Sequence, residues 1–253
     1  MIFYFSGTGN SRYTAEKIGG IINEKVIDMA RSRLDEKFTF EVKDQEKIGF
    51  VFPVYYYGPP TIVEEFMSKL KIYGNEHPYV YVIMTCGSNS GGADKYVDKI
   101  LLDHGLETEA FYTIPMVDNF IMGYDLSNEE DRKSINKKAE ERIDKVIKSN
   151  IVKGASDRKS SHFDQLLTGT VYPFYVRGRK TKKFFANDRC VSCNLCEEIC
   201  PAQAIKMVDG RPVWVLNQCI HCVACINRCP AEAIQYGDAT KKRRRYVHPS
   251  IVK

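Results

Sequence analysis

The sequence contains no run of apolar residues long enough to cross a membrane as a helix, which excludes such a span within these 253 residues. It also shows no basic leader followed by an apolar stretch and a small-residue cleavage site, so we expect no signal peptide and a cytoplasmic location. No DNA-binding module is recognisable, which argues against a regulator that acts on nucleic acid.

Cysteine is abundant and regularly spaced. Eight of the nine cysteines form two copies of the pattern C-x2-C-x2-C-x3-C-P, offset by 29 residues. The first copy contains Cys190, Cys193, Cys196 and Cys200 before Pro201, and the second contains Cys219, Cys222, Cys225 and Cys229 before Pro230. Short loops of this kind turn three thiolates toward one corner of an iron–sulfur cube. The pattern is typical of bacterial two-cluster proteins, so we predict two [4Fe-4S] clusters that transfer single electrons.

In this pattern the fourth cysteine of each run binds the cluster of the other run. We therefore predict one cluster on Cys190, Cys193, Cys196 and Cys229, and a second on Cys219, Cys222, Cys225 and Cys200. Zinc is an alternative, although zinc sites usually show wider gaps between their ligand pairs. A secreted disulfide scaffold is another. Thiolate-bound clusters need a reducing compartment, which favours a cytoplasmic protein of anaerobic metabolism.

The net charge of +5 could indicate an anionic partner. Each oxidised cluster with its four thiolates brings a charge of about −2, so the basic balance largely offsets the chain's own cofactors. We therefore predict no nucleic-acid partner. The basic run at 241–245 is typical of a solvated extension, and the alternative is a docking site for a partner.

The first 150 residues alternate short apolar runs with amphipathic stretches, which predicts an α/β domain with a doubly wound parallel sheet. We predict a linker over 151–182, whose aromatic part packs between domains, and a smaller α+β cluster domain over 183–253 with a hairpin at Asp209-Gly210. Predicted strands cover residues 2–5, 47–54, 79–84 and 110–116, and predicted helices cover residues 11–24, 61–70, 93–104 and 126–149.

A loop rich in glycine and hydroxyl groups lies between the first strand and the first helix. Its residues are Ser6, Gly7, Thr8, Gly9, Asn10 and Ser11. Backbone amides and the helix dipole favour an anion there. The loop lacks the G-K-[ST] ending of a triphosphate site and the third glycine of a dinucleotide site, so we predict a single terminal phosphate. A serine- and glycine-rich turn that only caps the helix is the alternative.

Two further loops follow later strands, where doubly wound sheets bind their ligands. The first is aromatic and contains Pro53, Val54, Tyr55, Tyr56, Tyr57 and Gly58. The second is rich in glycine and contains Thr85, Cys86, Gly87, Ser88, Asn89, Ser90, Gly91 and Gly92. Together with the phosphate loop they predict a site for FMN. Ordinary packing of the tyrosines is the alternative, and at least one is expected to do only that.

On these motifs, the N-terminal 150 residues resemble flavodoxins and the C-terminal part resembles a bacterial-type ferredoxin. The whole chain resembles the flavodoxin–ferredoxin fusion proteins of anaerobic bacteria and archaea. This resemblance implies that the phosphate loop and the aromatic loop bind FMN, and that the segment 116–120, with Asn119, lies near the flavin. The glycine-rich loop lacks the aromatic residue that flavodoxins commonly stack there, so one ring face is expected to be open. Cys86 is either a thiol beside the flavin or a small residue at a tight strand end.

A flavin handles one or two electrons and a cluster handles one, so the chain is predicted to convert between the two by intramolecular electron transfer. No acid, base or nucleophile is evident in the sequence, and no catalytic residue is predicted. We expect redox protein partners, such as a ferredoxin-type donor or acceptor. The alternative is a flavin-dependent oxidoreductase that reduces a small molecule with electrons from ferredoxin or NAD(P)H.

Overall fold

The computed structural model describes residues 1–126, 128–149, 156–157 and 160–251. The first seven strands are Ile2–Tyr4 (β1), Val26–Asp28 (β2), Thr39–Val42 (β3), Ile48–Pro53 (β4), Lys71–Gly74 (β5), Val80–Cys86 (β6) and Thr108–Pro115 (β7). Five of them form a parallel sheet in the order β2-β1-β4-β6-β7, and β3 and β5 form a separate parallel pair. Counted within the large sheet, this is the 2-1-3-4-5 order of the flavodoxin-like fold. The predicted doubly wound parallel sheet is confirmed.

Helices cover both faces of the large sheet. They are Asn10–Ile22 (α1), Met29–Leu34 (α2), Thr61–Lys69 (α3), Ala93–Asp103 (α4) and Glu129–Ser149 (α5). One core, which includes Phe3, Phe50 and Phe66, lies on one face, and a second, which includes Ile18 and Ile143, lies on the other. Because β4 is buried on both faces, its sequence is a continuous apolar run instead of an alternating one.

The segment predicted to link the two domains contains a long helix, His162–Gly178 (α6). It begins with a capping box between Ser161 and Asp164, which is a local sequence signal for the start of a helix. As expected, aromatic residues pack between the two parts of the chain: the Tyr175 hydroxyl donates to the carbonyl of Ile220 at 3.0 Å. Phe174, by contrast, is exposed. Residues 150–155 and 158–159 of the predicted boundary and linker lie outside the described residues.

The C-terminal unit runs from β8 to β11. Its elements are Phe184–Ala186 (β8), Leu195–Glu198 (α7), Ile205–Val208 (β9), Arg211–Trp214 (β10), Ala224–Arg228 (α8) and Ile234–Tyr236 (β11). The strands form two antiparallel pairs, β8 with β11 and β9 with β10. The predicted hairpin is confirmed, since Asp209 and Gly210 join β9 to β10 with φ angles of 48° and 74°.

The basic run 241–245 is solvated only in part: Lys241, Lys242 and Arg244 are exposed, as its composition predicts, while Arg243 and Arg245 are half-buried against the rest of the chain. Arg243 donates to the carbonyl of Ile121 at 2.6 Å, and the amide of His248 donates to the carbonyl of Thr8 at 2.8 Å. Guanidinium groups can donate to backbone carbonyls, so a run of like charges is compatible with a docked segment. Among the described residues, no helix is long and apolar enough to cross a bilayer.

Tyr246 anchors this tail in the core. Its hydroxyl donates to the side-chain oxygens of Asn10 at 3.0 Å and Asn136 at 3.2 Å. Tyr246→Phe should lower the free energy of unfolding by about 1–2 kcal/mol, because it leaves a buried amide oxygen without its donor. Chemical unfolding measures the loss, with the exposed Tyr73→Phe as the control. Equal stability of the two variants would contradict this role for the hydroxyl.

Candidate functional site

The predicted phosphate loop connects β1 to α1 and folds as a tight turn. The amide of Gly9 donates to Ser6 Oγ at 3.0 Å, and Gly9 has a φ of 106°, which favours glycine. Ser11 Oγ lies 2.8 Å from Thr85 Oγ1, a hydrogen bond that joins the loop to the end of β6. Asn119 Nδ2 donates to Thr8 Oγ1. These hydrogen bonds hold the loop in one shape, and it places backbone amides at the start of a helix.

A cavity of about 460 Å³ opens at the carboxyl ends of β1, β4 and β6. This volume lies in the range of small-molecule sites. The predicted residues that line it are Ser6, Gly7, Asn10, Ser11, Pro53, Val54, Tyr55, Tyr56, Tyr57, Thr85, Cys86, Gly87, Ser88, Asn89 and Asn119. All three predicted loops thus meet at one cavity.

Five residues predicted to bind the cofactor do not line the cavity, namely Thr8, Gly9, Gly58, Gly91 and Gly92. At Gly58 and Gly92, glycine allows another part of the chain to pack closely against the backbone. A Cβ at Gly58 would lie 2.4 Å from the ring of Tyr172, and one at Gly92 would lie 2.7 Å from the Gln165 backbone. At these two positions the close packing of α6 requires glycine, and a ligand does not.

Seven residues without a predicted site role also line the cavity: Val117, Asp118, Phe120, Gly123, Tyr124, Tyr175 and His221. Val117, Asp118 and Phe120 belong to the segment that the resemblance placed near the flavin. Tyr175 and His221 come from α6 and the C-terminal unit, and no local sequence signal connects them to this cavity. They reach it only because the two parts of the chain pack together.

Cys86 lies at the end of β6 with its thiol in a partly buried position. Burial, and then the negative charge of Asp118, raises the pKa of Cys86 to about 12. The group is therefore a neutral thiol at physiological pH and a poor nucleophile.

We expect Cys86 in flavin-free protein to react with iodoacetamide at least about tenfold more slowly than glutathione between pH 7 and 9. Because its pKa lies above this window, the thiolate fraction and the rate should rise about tenfold with each pH unit from 7 to 9 without levelling off, whereas an activated thiol would already be at its plateau. Mass spectrometry of the modified peptide measures the rate, and urea-unfolded protein provides the fully reactive control. A rate equal to that of glutathione would show an activated thiol.

The two cysteine runs repeat in backbone conformation as well as in sequence. Left-handed φ angles of 56° at Ser192, 61° at Asn194 and 50° at Gln203 recur 29 positions later, at 55°, 53° and 46°. One of the later residues is Val223, for which this conformation is strained. A strained backbone conformation of this kind persists only where the surrounding structure holds it, and it occurs most often at functional sites.

The described thiols form two groups, and none is in a disulfide. Cys190, Cys193, Cys196 and Cys229 line a common small cavity, which Cys225 also touches. In the other group, burial and then the negative charges of Cys222, Cys219 and Cys200 raise the pKa of Cys225. Cys200 thus lies near the second run, and Cys229 lies near the first.

Backbone amides donate to thiols at equivalent places in the two runs. The amide of Ala204 lies 3.2 Å from Cys200 Sγ, and that of Ala233 lies 3.3 Å from Cys229 Sγ. Such hydrogen bonds favour thiolates and tune cluster potentials. A zinc site requires at least three Cys, His, Asp or Glu side chains grouped around one ion. The described residues contain no such group. A cubane spreads its thiolates further apart, because each binds a different iron atom.

The second cysteine run lies directly against the phosphate loop. A Cβ at Gly7 would lie 2.4 Å from the carbonyl oxygen of Cys222 and 3.1 Å from its Cβ, so only glycine permits this approach. His221, the neighbour of Cys222, lines the 460 Å³ cavity. Burial, and then the charge of Cys222, raises the pKa of Tyr55 on the cavity wall. The thiols and the cavity therefore share one wall.

Comparisons with known proteins describe both parts of the chain. A family model of the flavodoxin domain matches residues 1–114, and one of the 4Fe-4S dicluster domain matches residues 189–234. A flavodoxin domain implies FMN and a dicluster domain implies iron–sulfur clusters, and the cavity and thiols described above fit these groups. A search of curated proteins gives no match.

Two similar solved structures each cover less than two thirds of this chain. The Trp repressor binding protein of Bacillus subtilis is 13% identical, with a TM-score of 0.37, over 59% of this chain and 99% of that one. The flavodoxin of Streptococcus pneumonia TIGR4 is 18% identical, with a TM-score of 0.32, over 57% of this chain and 97% of that one. The fold assignment depends on the strand order, and the redox character depends on the two domain matches. The chain therefore combines an N-terminal flavodoxin domain with a C-terminal 4Fe-4S dicluster domain, as in flavodoxin–ferredoxin fusion proteins, and is a flavin and iron–sulfur redox protein.

Proposed function

We propose that the chain transfers electrons between two [4Fe-4S] clusters and FMN and serves as a redox carrier in anaerobic metabolism. The observation that carries this proposal is the contact between Cys222 and Gly7, which joins a cluster-binding loop to the phosphate loop. The cofactors supply the redox chemistry, and the chain's task is to hold them close together. We further propose domain limits of 1–150, 151–182 and 183–253.

With crossed ligand sets, the two clusters differ in their position relative to the phosphate loop. We name Cys200, Cys219, Cys222 and Cys225 the proximal set, because Cys222 touches the phosphate loop, and Cys190, Cys193, Cys196 and Cys229 the distal set. Cys193 is exposed and so is its neighbour Val191, at 64%. The distal set is the natural point of contact for a protein donor or acceptor, and the proximal set is the one that exchanges electrons with the flavin.

Residues of three loops and of the C-terminal unit form the flavin site. Amides of the phosphate loop bind the phosphate, while the aromatic and glycine-rich loops enclose the ring. His221 forms part of the wall between cavity and proximal thiols, and its Nε2 lies 3.0 Å from the carbonyl of Lys180, which fixes the ring. Burial lowers the pKa of His221, so the imidazole is neutral at pH 7 and adds no charge to the cavity.

A second candidate function is reduction of a small molecule at the flavin. It is favoured by the outer rim of the cavity, where Tyr56 and Tyr124 are 42% and 44% exposed. Such a rim could admit a flat substrate or a nicotinamide.

Anaerobic absorbance spectroscopy after separate additions of NADH, NADPH and reduced ferredoxin separates the two functions. A carrier is bleached by ferredoxin and not by nicotinamides, which is the result we expect. Rapid bleaching by a nicotinamide would favour the oxidoreductase instead.

A further inference from the structure

Helix α6 is held against the flavodoxin domain by one face. Thr168 Oγ1 donates to the carbonyl of Tyr57 at 2.8 Å. One turn further along, the Tyr172 hydroxyl donates to the carbonyl of Pro59 at 2.7 Å. These contacts, together with the buried ring of Tyr175, fix how the helix is rotated about its axis. The opposite face of α6 therefore points away from the core.

Large apolar side chains form a stripe along this outward face. Phe163, Leu166 and Phe174 are 71%, 65% and 73% exposed, and their spacing of three and eight positions places them on one side of the helix. Two of them are the most exposed of the chain's thirteen phenylalanines, so the stripe is not a scatter of single surface residues. A helix that is apolar on both sides is typically covered on both sides.

Thr170 lies at the middle of the stripe. Its hydroxyl donates back into the helix, to the carbonyls of Leu166 and Leu167, at 3.0 Å each. The hydroxyl proton thus has its partner within the helix, and covering the stripe leaves no donor unpaired there. The short side chain also allows a second helix to pack at the usual distance of about 8–10 Å between axes.

The order of residues along the stripe is complementary to the same order read in reverse. Leu166 and Phe174 lie four positions on either side of Thr170, and Phe163 and Arg177 lie seven positions on either side. An antiparallel second copy of α6 centred on Thr170 would therefore place Leu166 against Phe174 at two symmetric places. It would also place the guanidinium of Arg177 against the ring of Phe163 at two places.

The charges at the ends of α6 favour the same arrangement. Asp164 lies in the first turn and Arg177 in the last. In an antiparallel pair the acidic end of each helix adjoins the basic end of the other, which is electrostatically complementary. A parallel pair would bring two copies of Arg177 together, and like charges repel.

We propose that two copies of this chain associate through the outward faces of α6, antiparallel and with Thr170 at the two-fold axis. Such a contact is isologous and closes at a dimer. It lies on the face of α6 opposite to Tyr175, the residue of this helix that lines the 460 Å³ cavity. The dimer does not depend on the proposed route of electrons.

Sedimentation velocity of the full-length, cofactor-loaded protein, measured anaerobically over a range of concentrations, tests the association. We expect a species of twice the chain mass. Leu166→Glu should raise the Kd of the dimer at least about tenfold, because it places two carboxylates in an apolar contact. Leu102→Glu is the matched control, since Leu102 lies on α4 and is 62% exposed. Iron and flavin contents confirm that each variant is assembled.

Crosslinking tests the antiparallel order. In Thr170→Cys the two new thiols lie at the axis, where a bis-maleimide that spans about 8 Å should join them. In Phe163→Cys the two thiols are separated by the rise of fourteen helical residues, about 21 Å, and the same reagent should not join them. The reaction is run on cluster-loaded protein, and unmodified wild-type sequence controls for the native cysteines.

A monomer at every concentration would overturn the proposal. If that monomer sedimented with vesicles of anionic phospholipid, a membrane surface would be what covers the stripe. A dimer that Leu166→Glu leaves intact would place the interface elsewhere on the chain. Crosslinking of Phe163→Cys as efficient as that of Thr170→Cys would contradict the antiparallel order.

Discussion

Gly7→Ala is expected to slow electron transfer between the clusters and the flavin by about tenfold or more. The new Cβ would lie 2.4 Å from the carbonyl oxygen of Cys222, and two backbone segments cannot share that space. Cys222 must move away from the phosphate loop, or the loop must move and weaken FMN binding. The overlap should also cost about 1–3 kcal/mol of stability. Flash photoreduction followed by absorbance at cluster and flavin wavelengths measures the rate.

Gly20→Ala is the matched control for this change. Gly20 lies in α1, and a Cβ there would meet nothing within 4 Å. Alanine should therefore stabilise the helix by about 0.5–1 kcal/mol and leave the rate unchanged. If Gly7→Ala transferred electrons as fast as Gly20→Ala, the contact between Cys222 and the phosphate loop would not be the route between the cofactors.

Cys200→Ser is expected to behave like Cys222→Ser, although Cys200 belongs to the first cysteine run. In the crossed arrangement both variants lose the proximal cluster, about half of the iron, and with it the reduction of flavin by reduced ferredoxin. Cys193→Ser should also lose about half of the iron, but its remaining cluster is the one beside the flavin. Iron analysis and electron paramagnetic resonance of the reduced proteins identify which cluster is left.

Cys86→Ser provides the control, because Cys86 belongs to neither predicted ligand set and should keep all of the iron. The result that contradicts crossing is a Cys200→Ser variant with an intact flavin–cluster interaction and the spectrum of Cys193→Ser. Each run would then bind its own cluster, and the proximal and distal sets would have to be redrawn.

The sequence predicts those parts of this protein that depend on local patterns. The parallel sheet follows from alternating apolar runs, and the loops at Ser6 and Tyr55 follow from their place after strands. The sequence predicts the roles of the glycines only in part, since Gly58 and Gly92 accommodate α6 and do not line the cavity. A glycine requirement looks the same in sequence whether a ligand or a helix imposes it.

The contacts between the two parts of the chain could not be predicted from sequence. His221 is 214 positions away from Gly7 in the chain, yet its neighbour Cys222 touches that glycine. The composition of the basic tail predicts a solvated segment, because composition does not show that the carbonyl of Ile121 accepts a hydrogen bond from one of its guanidinium groups. Such contacts depend on how two folded surfaces match, and no short sequence motif encodes that match.

The most direct test of the central claim is the dependence of flavin–cluster electron exchange on protein concentration. Holoprotein is reduced by a flash to less than one electron per chain, and the equilibration between clusters and flavin is followed over a tenfold range of concentration. Exchange within one chain predicts a rate that does not change with concentration. A rate proportional to concentration, or no exchange at all, would show that the clusters and the flavin of one chain are not connected.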